Sequence, residues 1–90
     1  MNNFEDIVTE IYIQIAKFTN TDKDPYYLFI SKENYNIMKS ELVDIKTDAF
    51  PNGRLDFFKV SDSISMEVVP LNGVPKNYIE IRGIIKKYAV

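Results

Sequence analysis

Ninety residues, 46% hydrophobic and 27% charged, make one compact domain over residues 1–90 with no room for a second core. The apolar content excludes disorder, and three Gly with four Pro exclude collagen-like and low-complexity chains. Cys and His are both missing, which excludes disulfides, thiolate chemistry, ordinary zinc sites and the commonest general base.

The formal net charge is −2, whereas a nucleic-acid binder usually carries a basic excess. The charge is split along the chain. Residues 1–48 hold nine acids and five bases, and residues 49–90 hold four acids and six bases. Such a split suits solvated faces, or head-to-tail self-association, or one charged partner. The start, Met1-Asn-Asn-Phe-Glu-Asp6, lacks the basic region of a signal peptide. No apolar run approaches the ~20 residues of a membrane helix. Cytosolic synthesis is the expectation.

The first helix is predicted over about Asn3 to Phe18. Phe4, Ile7, Val8, Ile11, Ile15 and Phe18 recur at the spacing of one helical face. Ile13 falls on the polar side, where a partner can dock. After a turn-rich loop, Tyr26-Tyr-Leu-Phe-Ile30 reads as a central strand covered on both faces. Ser31 is placed to cap a second helix over about Lys32 to Val43, with Tyr35, Met38 and Leu42 on one face. Leu55–Val60 reads as the next strand, and Ile64–Val68 alternates with Ile64, Met66 and Val68 inward. Pro70 ends this strand or marks an edge. Asn72-Gly73 is a turn. Asn77–Arg82 alternates again with Ile79 and Ile81 inward, Gly83 is a candidate bulge, and Ile84–Tyr88 continues the strand.

The order is α-β-α-β-β-β, which implies an α+β fold with two helices packed on a mixed four-stranded sheet. The first two strands are expected to lie parallel, joined by a right-handed crossover, and the last three to form an antiparallel meander. The face without helices is then half covered at best.

No residue pattern points to catalysis. Asp22, Asp24, Asp44, Asp48, Asp56, Asp62, Glu67 and Glu80 show no paired spacing. Thr21-Asp-Lys-Asp24 lacks the Gly and closing Glu of a calcium loop and reads as a solvated turn. Ser31 follows a strand and precedes a helix, but Phe29-Ile-Ser-Lys-Glu33 has neither flanking Gly of a nucleophile elbow. The chain is expected to be no enzyme and to bind no cofactor or metal. Arg82, Lys86 and Lys87, with Tyr78 and Tyr88 nearby, form a small basic and aromatic cluster. It reads as a solvated edge strand, or as a weak base-stacking surface. Six Tyr and six Phe are the least ordinary feature. Tyr12, Tyr27, Tyr35, Tyr78 and Tyr88 are expected to include several at the surface, where Tyr favours protein interfaces. The interface candidates are Ile13, Tyr27, Tyr78, Arg82, Lys86, Lys87 and Tyr88.

The stretch Asp24-Pro-Tyr-Tyr-Leu-Phe-Ile-Ser-Lys-Glu-Asn-Tyr-Asn-Ile-Met-Lys39 has the form P-x-x-L-x-I-S-x-E-x-Y-x-x-L/M-K. With the preceding helix and the following strands, about residues 4 to 60, it resembles small proteins encoded by tailed bacteriophages. It also resembles a segment of phage major capsid proteins. The last thirty residues have no counterpart there, and no functional residue carries over. The resemblance implies a viral protein that works by binding protein, in the virion or in the host cytoplasm. The leading expectation is a capsid-associated or connector component, able to form a homo-oligomer. The rival is a small inhibitor of a host defence or nuclease complex.

Overall fold

The computed structural model describes residues 3–42 and 46–86. In chain order they form α1 (Phe4–Ala16), β1 (Lys23–Ser31), α2 (Lys32–Glu41), β2 (Phe57–Ser61), β3 (Ile64–Leu71) and β4 (Ile79–Ile85). The α-β-α-β-β-β order of an α+β domain is therefore observed. The four strands make one mixed sheet in the order β2-β3-β1-β4.

The local signals explain most of the boundaries. Asn3 caps α1, accepting from the Asp6 backbone N–H while the Asp6 carboxylate accepts from Asn3, a reciprocal capping box. The helix stops at Ala16, two residues before Phe18, which lies in the turn that follows. Ile7 and Ile11 are fully buried, with Phe4, Val8, Ile15 and Phe18 packed around them. Ser31 caps α2 by accepting from the Asn34 N–H at 3.0 Å. Helix α2 ends at Glu41 with Leu42 as its C-cap; the Val43 expected to close it lies outside the described residues. Met38 and Leu42 are buried and Tyr35 is half-buried, as their shared face implies.

The strand connections differ from the simple crossover and meander. β1 runs parallel to β3, with Leu28 opposite Val68 and Ile30 opposite Pro70. β2 forms a tight antiparallel hairpin with β3 and lies at the far edge. β4 pairs antiparallel with β1, so the β3–β4 connection crosses the end of β1. Ser31 pins that crossing. Its N–H donates to the Tyr78 carbonyl at 3.0 Å, and its hydroxyl donates to the Lys76 carbonyl. The β1-to-β3 connection thus includes α2 and the whole of β2, not a helix alone. β1 is central in the sheet, but helices cover only one of its faces. Leu28 and Ile30 are buried beneath them, and Tyr27 and Phe29, on the other face, are half-buried.

Two other expectations are corrected. Pro70 neither ends β3 nor sits in an edge strand by sheet order. It is tolerated because β2 is short. The Val68 N–H donates towards β2, to Asp56, so the Pro70 nitrogen two residues on points the same way, where β2 no longer reaches. Gly83 is not itself the bulge. The register shift falls in the partner strand, between Pro25 and Tyr27, and Gly83 lies opposite Pro25. A Cβ on Gly83 would sit 2.5 Å from Phe18 Cε1 and 2.8 Å from the Asp24 carbonyl oxygen. Glycine is needed here for space.

Gly83→Ala is expected to destabilise the fold by about 1–3 kcal/mol, as overpacking does. Urea unfolding checks this as a lowered midpoint at unchanged slope. Ser31→Ala removes a helix cap, and the same measurement is expected to show a loss of about 1–2 kcal/mol.

Candidate protein-binding face

Both helices lie on one side of the sheet, so alternate strand residues face the other side. The pairing register places them in two rows. Phe57 of β2 stands opposite Glu67 of β3, Glu67 opposite Tyr27 of β1, and Tyr27 opposite Arg82 of β4. In the second row Val69 stands opposite Phe29, and Phe29 opposite Glu80. In the first row aromatic and charged side chains therefore alternate across the full width of the sheet.

The side chains are tied to one another. The Tyr27 and Phe29 rings lie tilted, 5.7 Å between centroids, and Tyr26 packs edge-on to Tyr27 at 4.6 Å. The Arg82 guanidinium carbon sits 5.2 Å from the Phe29 ring centre, within reach of a cation–π contact. The Arg82 Nε donates to Glu80 Oε2 at 3.1 Å, and the Tyr78 hydroxyl donates to the same oxygen at 2.9 Å. Phe57 is 56% exposed and borders a depression of about 430 Å³ lined by Phe50, Arg54, Asp56, Lys59 and Ser65. Glu67, between Phe57 and Tyr27, has no ion-pair partner among the described residues.

Two groups on this face titrate away from their ordinary values. The hydrogen bond from Tyr78, followed by the one from Arg82, stabilises the Glu80 carboxylate and holds its pKa below 4.5. The same bond raises the Tyr78 phenol above 10.0, because ionising it would break the bond and set a second anion against the Glu80 carboxylate. The signs are opposite. Glu80 contributes stability above its unfolded value, and loses it as pH falls through its folded value. Tyr78 contributes below its unfolded value, and loses it as pH rises through its folded value.

The structure brings Tyr27, Tyr78 and Arg82 onto one surface. It does not bring Ile13 there. Ile13 is 51% exposed on the outer side of α1, away from the buried Ile7 and Ile11, and so on the opposite layer of the molecule. Lys86 lies just past β4, where its N–H donates to the Asp22 carbonyl and its Nζ is 4.0 Å from Asp24. Lys87 and Tyr88 lie outside the described residues. Tyr12 reaches the surface while resting edge-on against Phe58. Tyr26, Phe29, Phe57 and Glu67 belong to the face and were not among the sequence candidates. Phe57 carried a readable signal: two adjacent Phe in one strand must point to opposite faces, and only Phe58 is in the core.

Among the described residues no group of three or more Asp or Glu converges. The Ser31 hydroxyl is buried and committed to Asn34 and Lys76. No helix among the described residues is long and apolar enough to cross a membrane. Compared with known proteins, the chain matches no family model, no curated protein and no solved structure.

Tyr78→Phe is expected to move the Glu80 carboxyl back up towards 4.5. A side-chain carboxyl NMR titration checks this. An unmoved titration curve would mean that the phenol–carboxylate bond is not formed in solution.

Proposed function

We propose that this chain is a non-enzymatic protein-binding module that makes its contact through the helix-free face of its sheet. One observation carries the reading: the row Phe57–Glu67–Tyr27–Arg82 alternates aromatic anchors with charged groups across all four strands. Large aromatic side chains and Arg are the usual anchors of protein interfaces. Glu67 and Glu80 lie among the rings and repel a phosphate backbone, which speaks against single-stranded nucleic acid on the same surface. The Glu67 carboxylate, without an ion-pair partner among the described residues, asks for a Lys or Arg from the partner protein.

The setting we propose is a phage virion, as a capsid-associated or connector component. Its support is the resemblance of residues 24–39 to phage proteins. A soluble host protein, as an inhibitor would take, is the other outcome of the test.

A photo-crosslinking residue at Phe57 is expected to capture one protein in the cells that naturally make this chain. The same residue at Lys39, exposed on α2, is expected to capture none. Glu67→Lys is expected to weaken the captured complex at least tenfold. Cosedimentation of the product with virus particles supports the virion setting, and a host protein in its place supports inhibition. Equal capture at Phe57 and Lys39 would overturn the face assignment.

A further inference from the structure

We propose that the free edge of β4 pairs with the same edge of a second copy, in antiparallel register about a two-fold axis at Gly83, giving one continuous sheet across a dimer.

The backbone bonds fix which groups are free. The Tyr78 carbonyl and the Lys86 N–H both bond towards β1, to Ser31 and Asp22. The even residues of β4 therefore face β1, and Ile79, Ile81, Gly83 and Ile85 turn their N–H and C=O groups outward. Gln14 of α1 donates to the Ile79 carbonyl at 2.9 Å and closes that end of the edge. What remains open is the run Ile81–Ile85, with no Pro and no bulge within β4. Natural edges are normally blunted by such features, by inward charges or by cover. The opposite edge, β2, is short, irregular between Lys59 and Ser61, and has its Lys59 N–H already taken by the Ala49 carbonyl. β4 instead exposes Ile84 and leaves Ile85 67% exposed, the largest exposure of any big apolar side chain described.

The open run is self-complementary about Gly83. With Gly83 opposite Gly83 of the second copy, Ile81 stands opposite Ile85 and Ile85 opposite Ile81. Each N–H and C=O that Ile81, Gly83 and Ile85 turn outward then meets a partner, and the Ile79 carbonyl stays with Gln14. The exposed Ile85 is covered by the buried-side Ile81 of the other copy, and Glu80 is brought opposite Lys86, so the charges match as well. Moving the axis to Arg82 would set two Arg directly opposite each other. Moving it to Ile81 would require Ile79, whose carbonyl is occupied. A two-fold contact must be complementary to itself, and this one is. The helix side of Gly83 is already filled by Phe18, Asp24 and Lys23 of its own chain, and a glycine at the axis adds no side chain there.

The test uses the full chain. Sedimentation across a dilution series from roughly 1 mM is expected to show a concentration-dependent dimer. Ile85→Lys is expected to raise its dissociation constant at least tenfold, with the monomer's thermal unfolding retained. The chain has no cysteine, so the register can be read by crosslinking. Arg82 and Ile84 stand opposite each other as a non-hydrogen-bonded pair, about 4.5 Å between Cα atoms, within disulfide reach. Arg82→Cys mixed with Ile84→Cys is expected to give a disulfide-linked heterodimer under mild oxidation, faster than either variant alone. A chain that stays monomeric throughout overturns the proposal. So does a dimer indifferent to Ile85→Lys, or crosslinking no faster in the mixture. Phe57 and Glu67 lie on other strands, so loss of partner capture with the dimer intact is a failure of the open-face reading alone.

Discussion

The fold turns on what happens at Ser31. There β1 ends, α2 begins, and the β3–β4 connection passes over the strand end. One small residue serves all three: its hydroxyl oxygen accepts from the Asn34 N–H, its hydroxyl donates to the Lys76 carbonyl, and its backbone N–H donates to the Tyr78 carbonyl. The residue is fully buried, so these bonds are made where water does not compete. An apolar residue here would leave the first turn of α2 without its cap. Because the connection is held there, β4 is delivered to the far side of β1 rather than beside β3. The sheet order β2-β3-β1-β4 follows from that delivery.

The sheet order in turn creates the face. With β3 and β1 in the centre, the row through Glu67 and Tyr27 is flanked by Phe57 at one edge and Arg82 at the other. Two helices suffice for one side, since α1 and α2 together cover Leu28, Ile30, Met66, Val68 and Phe58. Nothing remains among the described elements to cover the other side. Its side chains shelter one another instead, through ring contacts and the Tyr78–Glu80–Arg82 bonds. Such bonds on an exposed surface add little stability. What they do is hold the guanidinium over Phe29 and the rings in a fixed arrangement, which lowers the entropy lost on binding.

A second local constraint shapes the edge. Pro25 is buried and opposite Gly83, at a position that needs no N–H from Pro25 on the β4 side. The irregularity between Pro25 and Tyr27 turns Tyr26 out to pack against Tyr27. Phe18 descends onto Gly83 from the helix side. This close packing leaves β4 itself regular to its end, which is why its outer groups remain in register for another strand.

Much was legible in the chain itself. The period of the apolar residues gave both helices and all four strands in order, because burial of one face imposes 3.6 or 2 on the sequence whatever the topology. Asn3-Phe-Glu-Asp6 and Ser31 marked helix starts, because capping is a bond between residues three apart. Tyr27, Tyr78 and Arg82 were legible as surface candidates from residue type and alternation. The sequence alone did not determine which strands are neighbours. Periodicity says which face a residue takes and nothing about its partner across the sheet. That Phe57, Glu67 and Arg82 share a row with Tyr27, that Ile13 lies on the opposite layer, and that the Pro70 nitrogen points past the end of β2 were decided only when Ser31 fixed the crossing and β4 closed on β1. Those are contacts between residues far apart in the chain, and only the packed structure brings them together.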